Sequence, residues 1–364
     1  MWMIFMLLPL LVLCYLAWHV WCLLPLDGWW KALIIALGVG CFSLLFFSVA
    51  RKFDSLPLGL ASVCYEIGTS SLIVMLYMFM MFLVLDLGRL VGLVHRTWLY
   101  DNWTTTGVLT ALLVAVFVYG NLHYNHKVRQ PLELTTDKPL EKELKLVMIS
   151  DMHIGYHNRR SELARWVDLL NEEHADMILV AGDIIDGSMR PLMEERMAEE
   201  FRRLNAPVYA CLGNHEYYAG DRDAEQFYAD AGIHLLRDSV AVVDGVAIIG
   251  RDDRTNLRRS SVRALNEELR IKNEEFTILL DHQPYRLEES EAAGIDFQFS
   301  GHTHHGQVWP ASWVTEAIYE CAFGEHQRGK TRYYVSSGLG IWGGKFRNGT
   351  RSEYIVATLK HQEN

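Results

Sequence analysis

Charged residues are scarce in the first third of the chain. Residues 1–122 include only five acidic and five basic residues, whereas the rest of the 364-residue chain holds 39 acidic and 29 basic ones. The net charge of −10 therefore lies entirely in the second part. An apolar region followed by an acidic one indicates two domains, which the length of the chain allows.

An excess of basic residues is missing as well. Nucleic-acid-binding proteins contact the phosphates through a basic patch. The acidic balance therefore disfavours long nucleic acid as a partner. A local basic groove stays open as an alternative, because net charge does not describe how the charges are distributed.

Cysteines suited to a disulfide framework are lacking. Four of the six lie in or beside apolar runs, and only Cys211 and Cys321 occur in the polar part, with no CxxC pair. This usage predicts buried free thiols and leaves the redox compartment open.

Long apolar runs are what the first part of the chain does contain. Four runs without Asp, Glu, Lys or Arg cover residues 1–26, 32–50, 67–85 and 105–122. About 20 apolar residues suffice to cross a bilayer, and the N-terminus lacks the basic start and small-residue cleavage site of a signal peptide. We predict a transmembrane region of about four helices at residues 1–122. Within these spans His19 is the only deep ionisable residue, so that no charge pair indicates a transport path.

Basic residues flank the predicted spans unevenly. Four spans place both termini on one side of the membrane, and basic residues collect on the cytoplasmic side. The side that carries the termini has four basic residues and the other has three, which favours a cytoplasmic second domain. The four are Arg51, Lys52, Lys127 and Arg129, and the three are Lys31, Arg89 and Arg96.

The second part of the chain alternates short apolar runs with amphipathic stretches. Residues 123–143 are polar and predict a linker, and residues 144–364 predict the second domain. Helical patterns between the early strands favour parallel pairing, and SVAVVDGVAIIG (239–250) predicts a hairpin with its turn at Asp244-Gly245. We therefore expect an α/β fold with two packed, mixed sheets and helices outside.

Asp, Asn and His side chains follow five of the predicted strands. Ligands of α/β proteins bind beyond the carboxyl ends of the strands, so these side chains are expected to form one site. The motifs are SDMHIG (Asp151, His153), AGDIID (Asp183, Asp186), LGNHE (Asn214, His215), DHQP (His282) and SGHTHHGQ (His302, His304).

This number of carboxylates and imidazoles is typical of a metal site. They suit Mn, Fe or Zn, and seven ligands suit two ions rather than one. Asp183 has two oxygens and can bridge the pair. On extended backbone, residues i and i+2 point to the same side, which would bring Asp151 with His153, and His302 with His304, into one site.

Together the five motifs resemble the calcineurin-like metallophosphoesterase family, over about residues 144–360. The resemblance implies a four-layer α/β/β/α sandwich. With the N-terminal spans, it points to the membrane-associated bacterial branch and to an inner-membrane location. It implies that one metal is held by Asp151, His153 and His304, that the other is held by Asn214, His282 and His302, and that Asp183 bridges them. His215 would be a catalytic residue that protonates the leaving group.

Several residues near the motifs carry further expectations. Asp186 is expected to support a ligand or to cap a helix, and Glu216 to lie outside the ligand set. His305 stands where the family commonly has glycine and is predicted to be a non-ligand. Lys345 and Arg347 could offer charge to a phosphate or belong to a solvated turn, and residues 157–159 could touch substrate.

The expected function is that of a membrane-anchored, dinuclear-metal-dependent phosphoesterase in which metal-bound hydroxide attacks phosphorus. The spans suit a lipid or a nucleotide-linked lipid as substrate. One alternative is a phosphodiesterase acting on soluble nucleotides. Another is a membrane receptor or transporter with a non-catalytic module, which should have lost ligands, yet none of the seven is missing.

Overall fold

The computed structural model of the protein describes residues 2–50, 52–268 and 275–362. The chain divides into two compact units. Unit 1 comprises Met1–Asn121 and Gly343–Lys345, and unit 2 comprises Leu122–Trp342 and Phe346–Asn364. Arg51, used above to infer sidedness, lies outside the described residues.

Unit 1 is built from apolar helices. Their bounds are α1 Trp2–Leu23, α2 Gly28–Val49, α3 Leu58–Leu90 and α4 Trp103–Asn125, with short 3₁₀ turns at Lys52–Ser55 and Arg96–Trp98. Within the described residues, three segments are long and apolar enough to cross a membrane: Gly28–Ser48, Leu58–Leu90 and Trp103–Asn125. Within α1, the segment Leu8–Leu23 is apolar as well.

Four ionisable side chains in unit 1 form two pairs, His19 with Asp86 and Lys31 with Asp101. Asp86, predicted to end the third apolar run, lies inside α3, and its Oδ2 is 3.0 Å from His19 Nε2. Tyr15 donates its hydroxyl to the same oxygen at 2.8 Å. Lys31 pairs with Asp101 at 2.8 Å. His19 and Tyr15 of α1 thus form a polar tie with Asp86 of α3. The sequence interpretation treated His19 as a lone histidine and missed this contact.

Unit 2 contains two six-stranded mixed sheets. The first has the strand order β1-β12-β2-β3-β4-β5 and the second β10-β11-β9-β8-β7-β6. The first is formed by β1 Lys127–Thr136, β2 Leu144–Ile149, β3 Met177–Ala181, β4 Val208–Cys211, β5 Ile233–Leu235 and β12 Ser352–His361. The second is formed by β6 Ser239–Val243, β7 Val246–Gly250, β8 Phe276–Leu280, β9 Phe297–Ser300, β10 Gly324–Arg328 and β11 Thr331–Val335.

Helices cover the outer faces of both sheets, which confirms the predicted four-layer order. Alternation along β2 sends Val147 and Ile149 towards Trp166 of the helix layer, while Leu146 and Met148 meet the second sheet in the central core. Because successive strand residues face opposite sides, apolar runs of this kind can serve two cores at once. The helices are α5 Arg160–Asn171, α6 Arg190–Glu194, α7 Ala198–Phe201, α8 Asn214–Ala219, α9 Asp221–Ala231, α10 Val262–Glu268, α11 Glu288–Ala293 and α12 Ala311–Ile318.

The segment predicted as a linker is partly a strand, so that prediction was wrong for its central residues. Strand β1 occupies Lys127–Thr136 and pairs in parallel with β12. Leu132 and Leu134 are buried in the central core, and Pro131 is tolerated because β1 forms an edge of the sheet. The alternation Leu-x-Leu-x-Thr at residues 132–136 is the signal that could have revealed it.

The predicted hairpin is present. β6 and β7 pair antiparallel, with Val243 opposite Val246. The two turn residues, Asp244 and Gly245, have φ values of 49° and 78°, as a tight two-residue hairpin turn requires.

Candidate metal centre

All the predicted ligands lie just beyond the carboxyl ends of five strands. In the first sheet β2, β3 and β4 are parallel neighbours, and in the second sheet β8 and β9 are parallel neighbours. Each set of carboxyl ends therefore meets at one edge. The loops that follow bring the predicted side chains of both sheets together.

One cluster joins Asp151, His153 and His304, whose ligand atoms lie within 4.8 Å of one another. His153 Nε2 is 3.1 Å from His304 Nε2, and Asp151 Oδ1 is 3.8 Å and 3.5 Å from these two nitrogens. Asp151 and His153 are completely buried. The set predicted for one metal is thus brought together.

A second cluster joins Asp183, His282 and His302 within the same limit. His282 Nε2 lies 3.0 Å from Asp183 Oδ2, and its Nδ1 is held by the carbonyl of Ala181 at 2.7 Å. Asn214 Oδ1 is 2.9 Å from His302 Nδ1, so the fourth member of the predicted set is adjacent.

Asp183 also faces the first cluster. Its Oδ2 is 3.7 Å from His153 Nε2, besides the 3.0 Å approach to His282. One carboxylate oxygen therefore lies close to imidazoles of both clusters, in the position that a bridging ligand would need.

His215 lies at the side of these clusters. Its backbone N–H donates to Asp183 Oδ1 at 2.9 Å, and its ring contacts that of His153 with centroids 4.5 Å apart. The side chain is 15% exposed, more than the 0% of His153 and His282, which leaves it reachable from solvent.

Asp186 lies between two imidazoles. Its Oδ1 is 3.4 Å from His153 Nδ1 and 3.3 Å from His215 Nδ1, and its carbonyl is 3.0 Å from the latter nitrogen. Helix α6 begins four residues later with Met189 at its cap. Of the two predicted roles, supporting the histidines therefore describes Asp186, and capping a helix does not.

Glu216 fixes the backbone that carries the ligands. Its carboxylate accepts from the backbone N–H groups of Asp183, Ile185 and Gly213 at 3.1, 2.9 and 2.7 Å, and from the hydroxyl of Tyr228 at 3.1 Å. It is fully buried and lies outside the ligand set, as expected. The sequence did not indicate that it joins the loops after β3 and β4.

Two glycines allow the loops to approach the carboxylates. A Cβ at Gly213 would lie 2.1 Å from Asp183 Oδ1, and one at Gly301 would lie 2.2 Å from Asp151 Oδ2. Any larger residue would displace a carboxylate, which explains the glycine in GNHE and in SGHTHHGQ.

The expectation of extended backbone at the paired motifs was wrong. Asp151 and His153 have φ values of 53° and 45°, and His302 and His304 have 71° and 48°. Left-handed residues of this kind are uncommon outside glycine and cluster at functional sites. The pairs converge because both loops turn sharply after their strands.

The electrostatics favour ionised carboxylates at Asp151 and Asp183 and neutral imidazoles at His302 and His304. Burial lowers the pKa of His302 to about 4, with His282 adding to the effect, and burial lowers the pKa of His304 to about 3. Burial opposes ionisation of Asp183, but His282 and His215 outweigh it and hold its pKa well below the usual range. Ionised carboxylates and neutral imidazoles are the protonation states that metal ligands need.

His153 and His282 differ from these two imidazoles. Burial would lower the pKa of His153, but the carboxylates of Asp151 and Asp186 outweigh this and raise it to about 10. Burial would also lower the pKa of His282, but the carboxylate of Asp183 outweighs it and raises the pKa well above its usual value. The carboxylates therefore favour positive charge at the point where they converge.

Arg347 is not available to a phosphate, so that expectation was wrong. It is completely buried, and its guanidinium donates to the carbonyls of His304 at 2.7 Å, Gly340 at 3.2 Å and Ser337. It holds the loop of His304 against the residues after β11. Lys345 belongs to unit 1.

Residues 157–159 also serve structure. His157 Nε2 meets the carbonyl of Ile341 at 2.7 Å, and the Asn158 amide donates to the carbonyl of Met152 at 2.9 Å. Both are buried, and Arg159 pairs with Glu195 at 2.7 Å. The suggestion that they touch substrate was therefore wrong for the first two. Asn158 instead fixes the backbone between Asp151 and His153.

The side chain of His305 contacts residues outside the two clusters. Its Nε2 is 3.0 Å from Glu316 Oε1, and its ring stacks on Phe323 with centroids 4.5 Å apart. That His305 is a non-ligand stays a prediction.

An aromatic surface beside His302 was missed by the sequence interpretation. The ring of Tyr319 lies 6.3 Å from that of His302 and 4.7 Å from that of Tyr285. Arg254 covers the Tyr285 ring at 3.9 Å. These residues come from separate loops, so no local motif joins them.

Comparison with known proteins identifies relatives. Residues 144–306 match a family model described as calcineurin-like phosphoesterase. An uncharacterized metallophosphoesterase of Aquifex aeolicus is 28% identical over 262 residues, which cover 70% of this chain and 99% of that protein. A Danio rerio protein named transmembrane protein with metallophosphoesterase domain is 28% identical over 358 residues, which cover 90% of this chain and 79% of that protein. A solved 5'-nucleotidase precursor of Thermus thermophilus is 18% identical, with a TM-score of 0.37, over 56% of this chain and 49% of that one.

Proposed function

We propose a specific reaction from one established premise: the chain carries a calcineurin-like metallophosphoesterase domain and is a metal-dependent phosphoesterase of that family. The earlier predictions of family and enzyme class are thereby confirmed. We propose that the enzyme uses two divalent metals and hydrolyses a phosphoester in a membrane setting. The observation that carries this proposal is the convergence of two Asp/His clusters with Asp183 facing both.

The residues present fit such metals. His282 Nε2 is buried and has no hydrogen-bond partner among the described residues, because its 3.0 Å approach to Asp183 Oδ2 lacks hydrogen-bond geometry. Buried polar atoms rarely stay unpaired without a ligand. Asp151, His153 and His304 would hold one metal, Asn214, His282 and His302 the other, and Asp183 both. This mixture of oxygen and nitrogen donors suits Mn, Fe or Zn.

Different residues of the chain would have different roles in hydrolysing the phosphoester. Two bound cations would neutralise phosphoryl charge and lower the pKa of water. His215 would donate a proton from Nε2 to the leaving oxygen, since its Nδ1 faces Asp186. Asp186 would orient that ring, and Glu216 would keep the backbone of Asp183 in place.

The substrate class we favour is a lipid or nucleotide-linked lipid phosphoester. Support comes from three helices long and apolar enough to cross a membrane in the same chain. Tyr285, Tyr319 and Arg254 offer a surface for the organic part of the ester. Soluble nucleotides are the second candidate, since stacked tyrosines also suit a base. We further propose a cytoplasmic location of unit 2.

Hydrolysis assays test this proposal. The full chain in detergent, supplied with Mn, should hydrolyse a chromogenic phosphodiester, and a chelator should abolish the activity. An Asp151→Ala variant should be inactive under the same conditions. Metal-loaded protein that hydrolyses neither phosphodiesters nor phosphomonoesters would support the non-catalytic alternative instead.

A further inference from the structure

Helix α12 shows an inverted pattern of burial. Ser312 is buried, whereas Trp313, Val314 and Ile318 are 61%, 58% and 58% exposed. Helical spacing places these three apolar side chains on one face. A surface helix normally turns its apolar face to the core and its polar face to solvent. The helix therefore presents outward the face that other helices of unit 2 bury.

Trp309 extends this surface. It is 41% exposed, and its ring lies 5.3 Å from that of Trp313. We call Trp309, Trp313, Val314 and Ile318 the α12 face. It contains no charged side chain. The single charged residue of the helix, Glu316, is held by His305 at 3.0 Å.

The α12 face is fixed next to the metal centre. A Cβ at Gly306 would lie 2.3 Å from the carbonyl carbon of Ala311, so the start of α12 packs directly on the turn His304–Gly306. The Trp309 N–H donates to the carbonyl of Asn348 at 2.7 Å. Whatever covers the face therefore lies close to a predicted metal ligand.

A lipid surface is the occupant that these features favour. Helices that lie in the bilayer interface carry tryptophan and aliphatic residues on one face, as α12 does, and this chain also carries helices able to cross a membrane. A stable contact between two proteins buries about 800 Å² on each partner, and four side chains exposed to this degree supply roughly 400 Å². A second copy is therefore a poorer occupant.

We propose that the α12 face enters the interfacial layer of a lipid bilayer and presents the metal centre to phosphoesters held at that surface. The substrate part of this inference rests on the proposed phosphoesterase function, whereas the docking part does not. Because the α12 face is uncharged, docking should depend little on salt or on anionic lipid.

Site-specific photocrosslinking tests the docking. A benzophenone amino acid replaces Val314 in the full chain, reconstituted in nanodiscs of neutral phosphatidylcholine. Irradiation should give a lipid adduct by mass spectrometry, in low and in high salt. The matched control places the same amino acid at Leu257, which is 96% exposed in another loop of unit 2 and should give no lipid adduct. Val314 adducts confined to a second copy, or no lipid adduct, would overturn the proposal.

Substrate preference tests the catalytic part. Substituting Trp313, Val314 and Ile318 together by Ser should lower kcat/KM for a vesicle-embedded lipid phosphoester by at least about tenfold relative to a soluble chromogenic ester. A Leu257→Ser variant should keep the wild-type ratio. An unchanged ratio in the triple variant contradicts the inference. If the wild type hydrolyses neither ester, the phosphoesterase function is refuted. The crosslinking result would then still decide whether the α12 face docks on lipid.

Discussion

The paired polar groups of unit 1 have different surroundings from the polar groups of the metal centre in unit 2. In unit 1, Asp86 has Tyr15 and His19 as partners, and Lys31 has Asp101. In the metal centre, carboxylates and imidazoles crowd together, yet the buried Nε2 of His282 has no hydrogen-bond partner among the described residues. Polar groups whose hydrogen bonds are all made within the protein suit a structural role. Buried polar groups without a hydrogen-bond partner indicate that a ligand binds there. The difference separates polar residues that hold helices together from those that bind.

The largest effect on turnover is expected for His215→Ala. The variant should lose roughly 10²–10⁴ in kcat, the range for a general acid, because the leaving oxygen would lose its proposed proton donor. Metal content should stay at the wild-type level, since His215 contacts Asp183 through its backbone N–H. Steady-state kinetics with metal analysis checks this. If the metals are lost together with activity, His215 is a ligand and its proposed role is wrong.

Glu216→Gln should destabilise unit 2 by roughly 1–3 kcal/mol, because an amide NH₂ would face backbone N–H donors of the loops after β3 and β4. The thermal midpoint measured by near-UV circular dichroism reports this loss. The control, Glu267→Gln, changes an exposed residue paired with Arg263 and should stay within about 0.5 kcal/mol. Equal midpoints for the two variants would show that Glu216 does not hold the loops.

Tyr124→Phe should lower the metal affinity of the site indirectly. The buried hydroxyl donates to Asn158 at 3.0 Å and Glu162 at 2.7 Å, and Asn158 holds the carbonyl of Met152 between two predicted ligands. Outer partners of this kind commonly contribute 10-fold or more to metal affinity, and we expect a loss of about that size in a metal titration. Tyr119→Phe, at an exposed position of the same helix, is the control. Unchanged affinity in Tyr124→Phe would remove the link through Asn158.

Asp86→Asn should have the smallest effect. The amide can still accept from Tyr15, so helix association should weaken by about 0.5–2 kcal/mol, the range for polar contacts between membrane helices. Activity and metal content should not change. Detergent-titrated thermal unfolding, with metal analysis, measures both. Loss of metal in this variant would mean that the polar tie in unit 1 is part of the functional site.

Local patterns made most of the fold predictable, and they also identified the side chains that meet in the two clusters. Apolar runs predict the helices of unit 1, and strand-ending motifs predict the candidate ligands, because both depend on neighbouring residues. Strand β1 was missed because it is polar and pairs with β12, more than 200 residues away. Arg347 was misjudged since its partners are carbonyl groups, which carry no sequence signal. The left-handed backbone at Asp151 and His304 could not be inferred from the sequence, because positive φ is uncommon outside glycine even for Asp and His, which adopt it more often than other residues.

Metal stoichiometry tests the central claim most directly. The purified full chain, loaded with Mn and freed of excess metal, should contain two ions per chain by mass spectrometry of the elements. Asp183→Ala should lose both, because this carboxylate faces both clusters, whereas Asp86→Asn should retain both. A wild-type chain that binds no metal, or an Asp183→Ala variant that keeps two ions, would contradict the account.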